Sequence, residues 1–241
     1  MKKSFSLIEL VIVIIVVGIL YSSINFSLAN SSLNQAADQI ISHINYTRHL
    51  AIKDNKMQYY PINASKTEMN RSKYWFKQWW QIRFWVSDNN CVYEIFTDLP
   101  YDTTSNNFDK SGNTPTNDKY RNLSYAKNPV TQQYLTGLSY DDDNNYPRNY
   151  DPKLNLTKSY SINKIVINGK DVNKSKRFIF DAYGNCYTYY KDGDAGDINP
   201  YDISHNYLLK TTKITLCQDE DCEKNISICL SPKIANAYIC K

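Results

Sequence analysis

The apolar residues follow three different patterns along the chain. Residues 10–20 form an unbroken apolar run, and its extension over 5–24 has about the 20 residues that a membrane-spanning helix requires. Lys2 and Lys3 precede this run, so the positive-inside bias predicts a cytoplasmic start and export of everything after Ile24. This pattern predicts a single pass through the inner membrane, with the C-terminal part of the chain in the periplasm.

A helical pattern continues from residue 28 to residue 54 without Pro or Gly. Apolar residues recur there at i, i+3, i+4 and i+7, and polar residues occupy the other side. The apolar positions are Leu33, Ala36, Ala37, Ile40, Ile41, Ile44 and Ala51. One face of this second half of the helix is therefore expected to pack against a globular head.

From Tyr60 onward the periodicity changes to two, which predicts β-strands. Residues 80–86 and 91–96 flank a turn-like segment and predict a hairpin. Residues 98–151 are rich in Asn, Asp, Thr and Tyr, and we interpret them as a long loop excursion. Further strands are predicted at 161–167, 177–180, 186–190, 213–217 and 226–230.

The predicted fold class is α+β, with a long N-terminal helix packed on a mostly antiparallel β head. The first half of the helix, residues 5–28, is predicted to be transmembrane, and the second half, residues 29–54, is predicted to be an amphipathic stalk. The head is predicted to occupy residues 55–241 and to contain the loop excursion.

Composition excludes several functional classes. The 241 residues include only 7 Gly and 8 Pro, and the chain contains no Gly-rich phosphate-binding motif. The net charge of +4 includes Lys2 and Lys3, so the balance does not indicate a strongly basic nucleic-acid binder. The three histidines, His43, His49 and His205, form neither a catalytic triad pattern nor an H-E-x-x-H motif. We therefore predict that the protein is not an enzyme.

Glu9 places a carboxylate within the extended apolar segment 5–24. An acid within a membrane span costs several kcal/mol and rarely occurs there without a partner. No cation follows within the run, so we expect the partner to come from a neighbouring chain. A plain membrane anchor and a secretory signal, cleaved after the small residues near Ala29, are the alternative interpretations.

The segment KKSFSLIEL, residues 2–10, resembles the processing motif of type IV prepilins and of the pseudopilins of type II secretion. That motif has a short basic leader, a small residue, then FTLIE and an apolar helix. The resemblance implies a leader at 1–4, with Ser4 replacing the more common Gly, and cleavage before Phe5. It also implies methylation of the new N-terminal amine and engagement of Glu9 with the N-terminus of the adjacent subunit.

The end of the chain is similar to that of GspH/FimT-type minor pseudopilins, on residues 177–185, 213–216, 226–228 and 234–237. The terminal Gly-Arg of that family is replaced here by Pro-Lys-Ile at 232–234. Both resemblances imply a structural pseudopilin or pilin subunit that supports protein secretion or DNA uptake. The implied partners are other pilins or pseudopilins, a prepilin peptidase and an inner-membrane assembly platform.

Two alternative functions remain open. In a DNA-binding competence pilin, Lys73, Lys77 and Arg83, which are interleaved with tryptophans, would contact nucleic acid. The second alternative is a single-pass surface protein unconnected with filaments.

Six cysteines follow the apolar run, and an exported location favours disulfides. The spacing of the last four lacks the paired C-x-x-C pattern of zinc sites, so disulfides are favoured over metal. Locality alone favours the pair Cys217 and Cys222. The candidates are Cys91, Cys186, Cys217, Cys222, Cys229 and Cys240.

Two further kinds of site are indicated by short motifs. Asp192, Asp194 and Asp197 share one loop and are a weak calcium candidate, although a solvated turn is favoured and no other cofactor is predicted. Three Asn-x-Ser sequons have an acid two residues earlier, which resembles the acceptor of bacterial oligosaccharide transferases. These sequons begin at Asn70, Asn173 and Asn225.

Overall fold

The computed structural model describes residues 7–54, 78–97, 124–137, 149–173, 175–190 and 207–240. Two helices and nine strands lie within these ranges, and the strands form two antiparallel sheets, so the fold is α+β. Helix α1 is Leu7–Lys53, and helix α2 is Leu156–Tyr160, which follows a single 3-10 turn at Pro152–Leu154. The strands are β1 Trp80–Ser87, β2 Asn90–Thr97, β3 Lys164–Ile167, β4 Lys170–Asp171, β5 Lys176–Phe180, β6 Cys186–Tyr190, β7 Thr212–Cys217, β8 Asn225–Leu230 and β9 Ala237–Ile239.

Burial divides helix α1 into two parts. Residues 7–19 are all exposed, whereas from Leu33 onward one face is buried in the same core as residues of both sheets. The buried positions recur at the spacing of one face of an α-helix. The apolar ones are Leu33, Ala36, Ala37, Ile40, Ile44 and Ala51, all of which the sequence pattern predicts. Ile41, also predicted, is only partly buried, and Thr47, which the pattern does not include, is completely buried.

The first sheet has the strand order β2-β1-β5-β6, and the second has the order β4-β3-β7-β8-β9. The predicted hairpin joins β1 to β2 through Asp88 and Asn89, whose positive φ angles of 47° and 61° suit a two-residue turn. On the inner face of this sheet, Ile82 lies between Ile95 of β2 and Phe178 of β5. All three side chains are completely buried and belong to the main core.

The structure contains three short elements that were not predicted, α2, β4 and β9, and it differs from the predicted elements at two further places. The strand predicted at 161–167 begins only at Lys164, because Ser161 ends helix α2 in the left-handed conformation. The predicted loop excursion 98–151 contributes residues 124–137 to the fold, where they pair with the outer edge of β2 through single bridges. Single bridges satisfy the backbone groups of an edge strand without an alternating apolar pattern, so the sequence did not reveal them.

The outer face of the first sheet is also buried. Arg83 and Glu94 form an ion pair across β1 and β2, and Arg177 of β5 lies on the other side of Arg83. The guanidinium of Arg83 lies 4.0 Å from the ring centroid of Trp85. Arg83 is therefore not on a solvent-facing surface, because this sheet is covered on both faces.

Two disulfides are present in the second sheet. Cys217–Cys222 joins the end of β7 to the turn before β8, and this is the pair that locality predicts. Cys229–Cys240 joins β8 to the residue after β9. The other two candidates, Cys91 and Cys186, are buried free thiols, so four of the six cysteines are bonded.

Candidate assembly site

The first turns of α1 form a continuous exposed apolar surface, which we call the apolar helix segment, residues 7–19. Its side chains surround the helix on all sides, so a single partner packed against one face would leave the rest in water. The large exposed side chains are Leu7, Ile8, Leu10, Val11, Ile12, Val13, Ile14, Ile15, Val16, Val17 and Ile19. Such a segment fits the interior of a helix bundle, where several neighbours cover it.

Glu9 lies in the first turn of α1 and is the acidic residue of the apolar helix segment. A carboxylate is favoured at a helix N-terminus, because the backbone N–H groups there carry partial positive charge. Transfer of the same carboxylate into a dry bundle is unfavourable unless a cation accompanies it. Glu9 is therefore the residue of this segment that can distinguish one packing partner from another.

The structure does not describe the predicted processing residues, but it does bear on the predicted location. Ser4 and Phe5 lie outside the described residues, which begin at Leu7. Within the described part of the chain, no helix combines the length and the apolar character needed to cross a membrane. The predicted location, a single pass through the inner membrane with the head in the periplasm, is therefore wrong.

A chain of polar groups joins the second half of α1 to the head. Gln39 donates from Nε2 to the carbonyl oxygen of Lys153 at 3.1 Å and to the hydroxyl of Tyr93 at 2.6 Å. Its Oε1 accepts from the Tyr160 hydroxyl at 2.5 Å. The Tyr93 hydroxyl also shares a hydrogen bond with Nδ1 of His43, 2.7 Å away, and the tautomer of His43 decides which of the two groups donates. We call Gln39, His43, Tyr93 and Tyr160 the junction network.

Burial controls protonation in the junction network. Burial lowers the pKa of His43 to about 4, although the negative charge of Asp151 acts in the opposite direction. Burial also raises the pKa of the Tyr93 hydroxyl well above its usual value. Near neutral pH, His43 is therefore uncharged, and the Tyr93 hydroxyl keeps its proton.

We expect His43 to make the head less stable in acid. Histidine has a pKa near 6.5 in the unfolded chain and about 4 in the folded chain, so the folded state opposes protonation. Stability is complete above pH 6.5 and falls as the pH drops towards 4, by up to about 3 kcal/mol. Guanidinium unfolding followed by tryptophan fluorescence at several pH values measures this loss. In His43→Gln the slope between these pH values should be smaller, and an identical slope would contradict the assignment.

The residues predicted to contact DNA are not assembled on a surface by the described structure. Arg83 is 6% exposed and is paired with Glu94, while Lys73 and Lys77 lie outside the described residues. Trp79 packs against Tyr187 with ring centroids 5.1 Å apart. Arg83 of β1 and the adjacent Trp79 therefore make contacts within the fold and do not form an exposed binding surface.

The glycosylation candidates differ in their surroundings. Asn70 lies outside the described residues, and Asn173 is exposed after β4. Asn225 is exposed at the start of β8, and its Nδ2 donates to the carbonyl oxygen of Cys222. Modification of Asn225 would have to break this hydrogen bond. Of the two described candidates, Asn173 is therefore the better acceptor.

No group of three or more His, Cys, Asp or Glu side chains is placed to hold a metal ion within the part of the chain that the structure describes. The calcium candidates Asp192, Asp194 and Asp197 lie outside that part.

The chain was compared with protein-family models, curated proteins and solved structures, and none of the three comparisons gives a match.

Proposed function

We propose that this protein is a structural subunit of a type IV pilus-like filament, of the minor pilin or pseudopilin kind, and that it supports protein secretion or DNA uptake. The observation that carries the proposal is helix α1. Its exposed apolar segment, with Glu9 in the first turn, continues without interruption into a face that is buried against the head. The prepilin-like motif at residues 2–10, which overlaps the start of this helix, supports the same proposal.

The dimensions of α1 favour assembly through its first half. The helix has 47 residues, which is about 70 Å at 1.5 Å per residue. Ser32 contacts the head through Gln218, so the helix from Leu7 to Ser32 extends roughly 38 Å beyond that contact. Helices of this kind can pack side by side in a filament core while the heads lie outside.

Glu9 supplies the register of this packing. Cleavage before Phe5 would create a positively charged amine about one helical turn before Glu9. When subunits are displaced along the filament, the amine of one chain can meet the Glu9 carboxylate of its neighbour. The ion pair removes the cost of burying either charge alone.

We expect Glu9→Leu to reduce filament assembly by at least tenfold, even though the helix becomes more apolar. The full-length chain, with a C-terminal epitope tag, is expressed in its native host, and cross-linked assemblies are quantified after shearing. Glu9→Gln should be nearly as defective, because it keeps hydrogen bonding but removes the charge. Intact-mass analysis of the wild type should place the mature N-terminus at Phe5.

Asp38→Leu is the matched control, because Asp38 is an exposed acid on the same helix but outside the apolar helix segment. It should assemble normally. Normal assembly of Glu9→Leu, or equal defects in Glu9→Leu and Asp38→Leu, would contradict the proposed role of Glu9.

A further inference from the structure

The end of the head near the C-terminus of α1 carries an exposed apolar patch. Tyr183 is 86% exposed, Leu209 is 70% exposed, and Ile234 and Ile52 are both at least 40% exposed. The exposed cations Lys210 and Lys233 adjoin two of these residues in sequence. We call these six residues the end surface. A patch of large apolar side chains with a basic rim is typical of a protein–protein interface.

Hydrogen bonds hold the loops of the end surface together. The Cys186 N–H donates to the Lys233 carbonyl oxygen at 2.6 Å, and the Lys233 N–H donates to the Leu208 carbonyl oxygen at 2.7 Å. Arg48 Nε donates to the Gly184 carbonyl oxygen at 3.3 Å, and this bond attaches the loops of the end surface to the last turns of α1. The segments around residues 184, 208 and 233 therefore form one surface.

The loop around Lys233 is held in an unusual conformation. Lys233 and Ala235 have positive φ angles of 67° and 46°, which non-glycine residues seldom adopt. Ala235 is also completely buried, which anchors the loop in the core. A preformed loop loses less conformational entropy when a partner binds.

The opposite end of the head carries an acidic loop, residues 219–223, which contains four carboxylates. The disulfide Cys217–Cys222 closes this loop, and Gln218 Nε2 donates to Ser32 Oγ at 2.9 Å. From Ser32 to Ile52 the helix rises about 30 Å. The acidic loop therefore lies at the Ser32 end of the head and the end surface at the Ile52 end, so they do not meet within one chain.

We infer that the end surface binds the acidic loop of a second copy of this chain. The inference rests on the proposed function, because a head-to-tail contact of this kind repeats without closing and so extends along a filament. Cations on one end meet carboxylates on the other, which sets the direction and register of docking. A protein partner is favoured over nucleic acid, because Leu209 and Ile234 offer no favourable contact to a phosphate backbone.

Zero-length carbodiimide cross-linking of the assembled full-length protein tests the contact directly. We expect mass spectrometry to find cross-linked peptides that join Lys210 or Lys233 to Glu220, Asp221 or Glu223. Such links must form between chains, because the six residues of β7 separate Lys210 from the acidic loop by about 17 Å, which is farther than a direct lysine–carboxylate bond can reach. Assemblies in which these lysines link only to other acids would overturn the inference.

Charge reversal provides the second test. Lys210→Glu with Lys233→Glu, or Glu220→Lys with Asp221→Lys, should each lower the yield of assemblies at least fivefold. Combining all four substitutions in one chain should restore it, because the charges again attract. Lys153→Glu with Lys158→Glu, at exposed positions elsewhere on the head, is the matched control and should not lower the yield. Failure of the combined variant to recover would overturn the inference.

The outcomes separate this contact from the proposed function. If Glu9→Leu prevents assembly and the charge reversals do not, the filament proposal stands and the end surface does something else. If duplex DNA is retarded by the wild type and not by Lys210→Glu with Lys233→Glu, the end surface binds nucleic acid and the inference is wrong. If none of the variants alters assembly, both proposals fail.

Discussion

Replacing Glu94 with alanine is expected to lower the free energy of unfolding by about 3–5 kcal/mol. Glu94 is completely buried, and its carboxylate forms the ion pair with Arg83. Arg177, also buried, lies directly across β1 and β5 from Arg83. Glu94→Ala therefore leaves the buried guanidinium of Arg83 without its carboxylate, next to a second buried guanidinium. Guanidinium unfolding of the full-length chain, followed by tryptophan fluorescence, measures the loss.

Two control variants separate charge from packing. Glu220→Ala removes an exposed acid and should change stability by no more than about 0.5 kcal/mol. The double variant Arg83→Met with Glu94→Leu removes both charges and should be more stable than Glu94→Ala. Equal stability of Glu94→Ala and Glu220→Ala would show that the buried pair does not stabilise the fold.

Replacing Gly137 with alanine is expected to destabilise the head by about 3 kcal/mol. A Cβ at this position would overlap the carbonyl group of Leu154 and lie 2.8 Å from the backbone nitrogen of Asn155. The backbone there has little freedom to retreat, because the Asn155 side chain accepts from Lys158 N–H as the N-cap of α2. Gly137 N–H also donates to the carbonyl oxygen of Tyr93 in β2. The substitution should therefore separate the covering segment from the edge of the first sheet.

Gly169→Ala is the control for this prediction. Gly169 has a positive φ of 76°, but nothing lies within 4 Å of a Cβ built on it. Only backbone strain should appear, which is about 1 kcal/mol. The same unfolding measurement should rank Gly137→Ala as clearly less stable than Gly169→Ala. The reverse order would mean that the contact with Leu154 relaxes at little cost.

The elements that depend on neighbours in sequence could be predicted without the structure. The buried face of α1 follows from apolar residues at helical spacing, and the hairpin of β1 and β2 follows from two β-patterned segments around a short polar turn. The disulfide Cys217–Cys222 follows from the small separation of its cysteines. The apolar helix segment and Glu9 are likewise visible in the sequence, because their chemistry is local.

The features that combine distant residues required the tertiary structure. From the sequence alone, Arg83 is a candidate surface cation that could contact DNA. Only the pairing of β1 with β2 and β5 shows that it is buried beside Glu94 and Arg177. Tyr93 and Tyr160 have no pattern that links them to His43 or Gln39.

The end surface also joins side chains from α1 and three separate loops. Periodicity reports which face of an element is apolar, but it does not report which elements meet. By itself, therefore, the sequence determined helix α1, most strands and the local disulfide, but not helix α2. The tertiary structure decided which polar groups are buried together and which exposed groups share a surface.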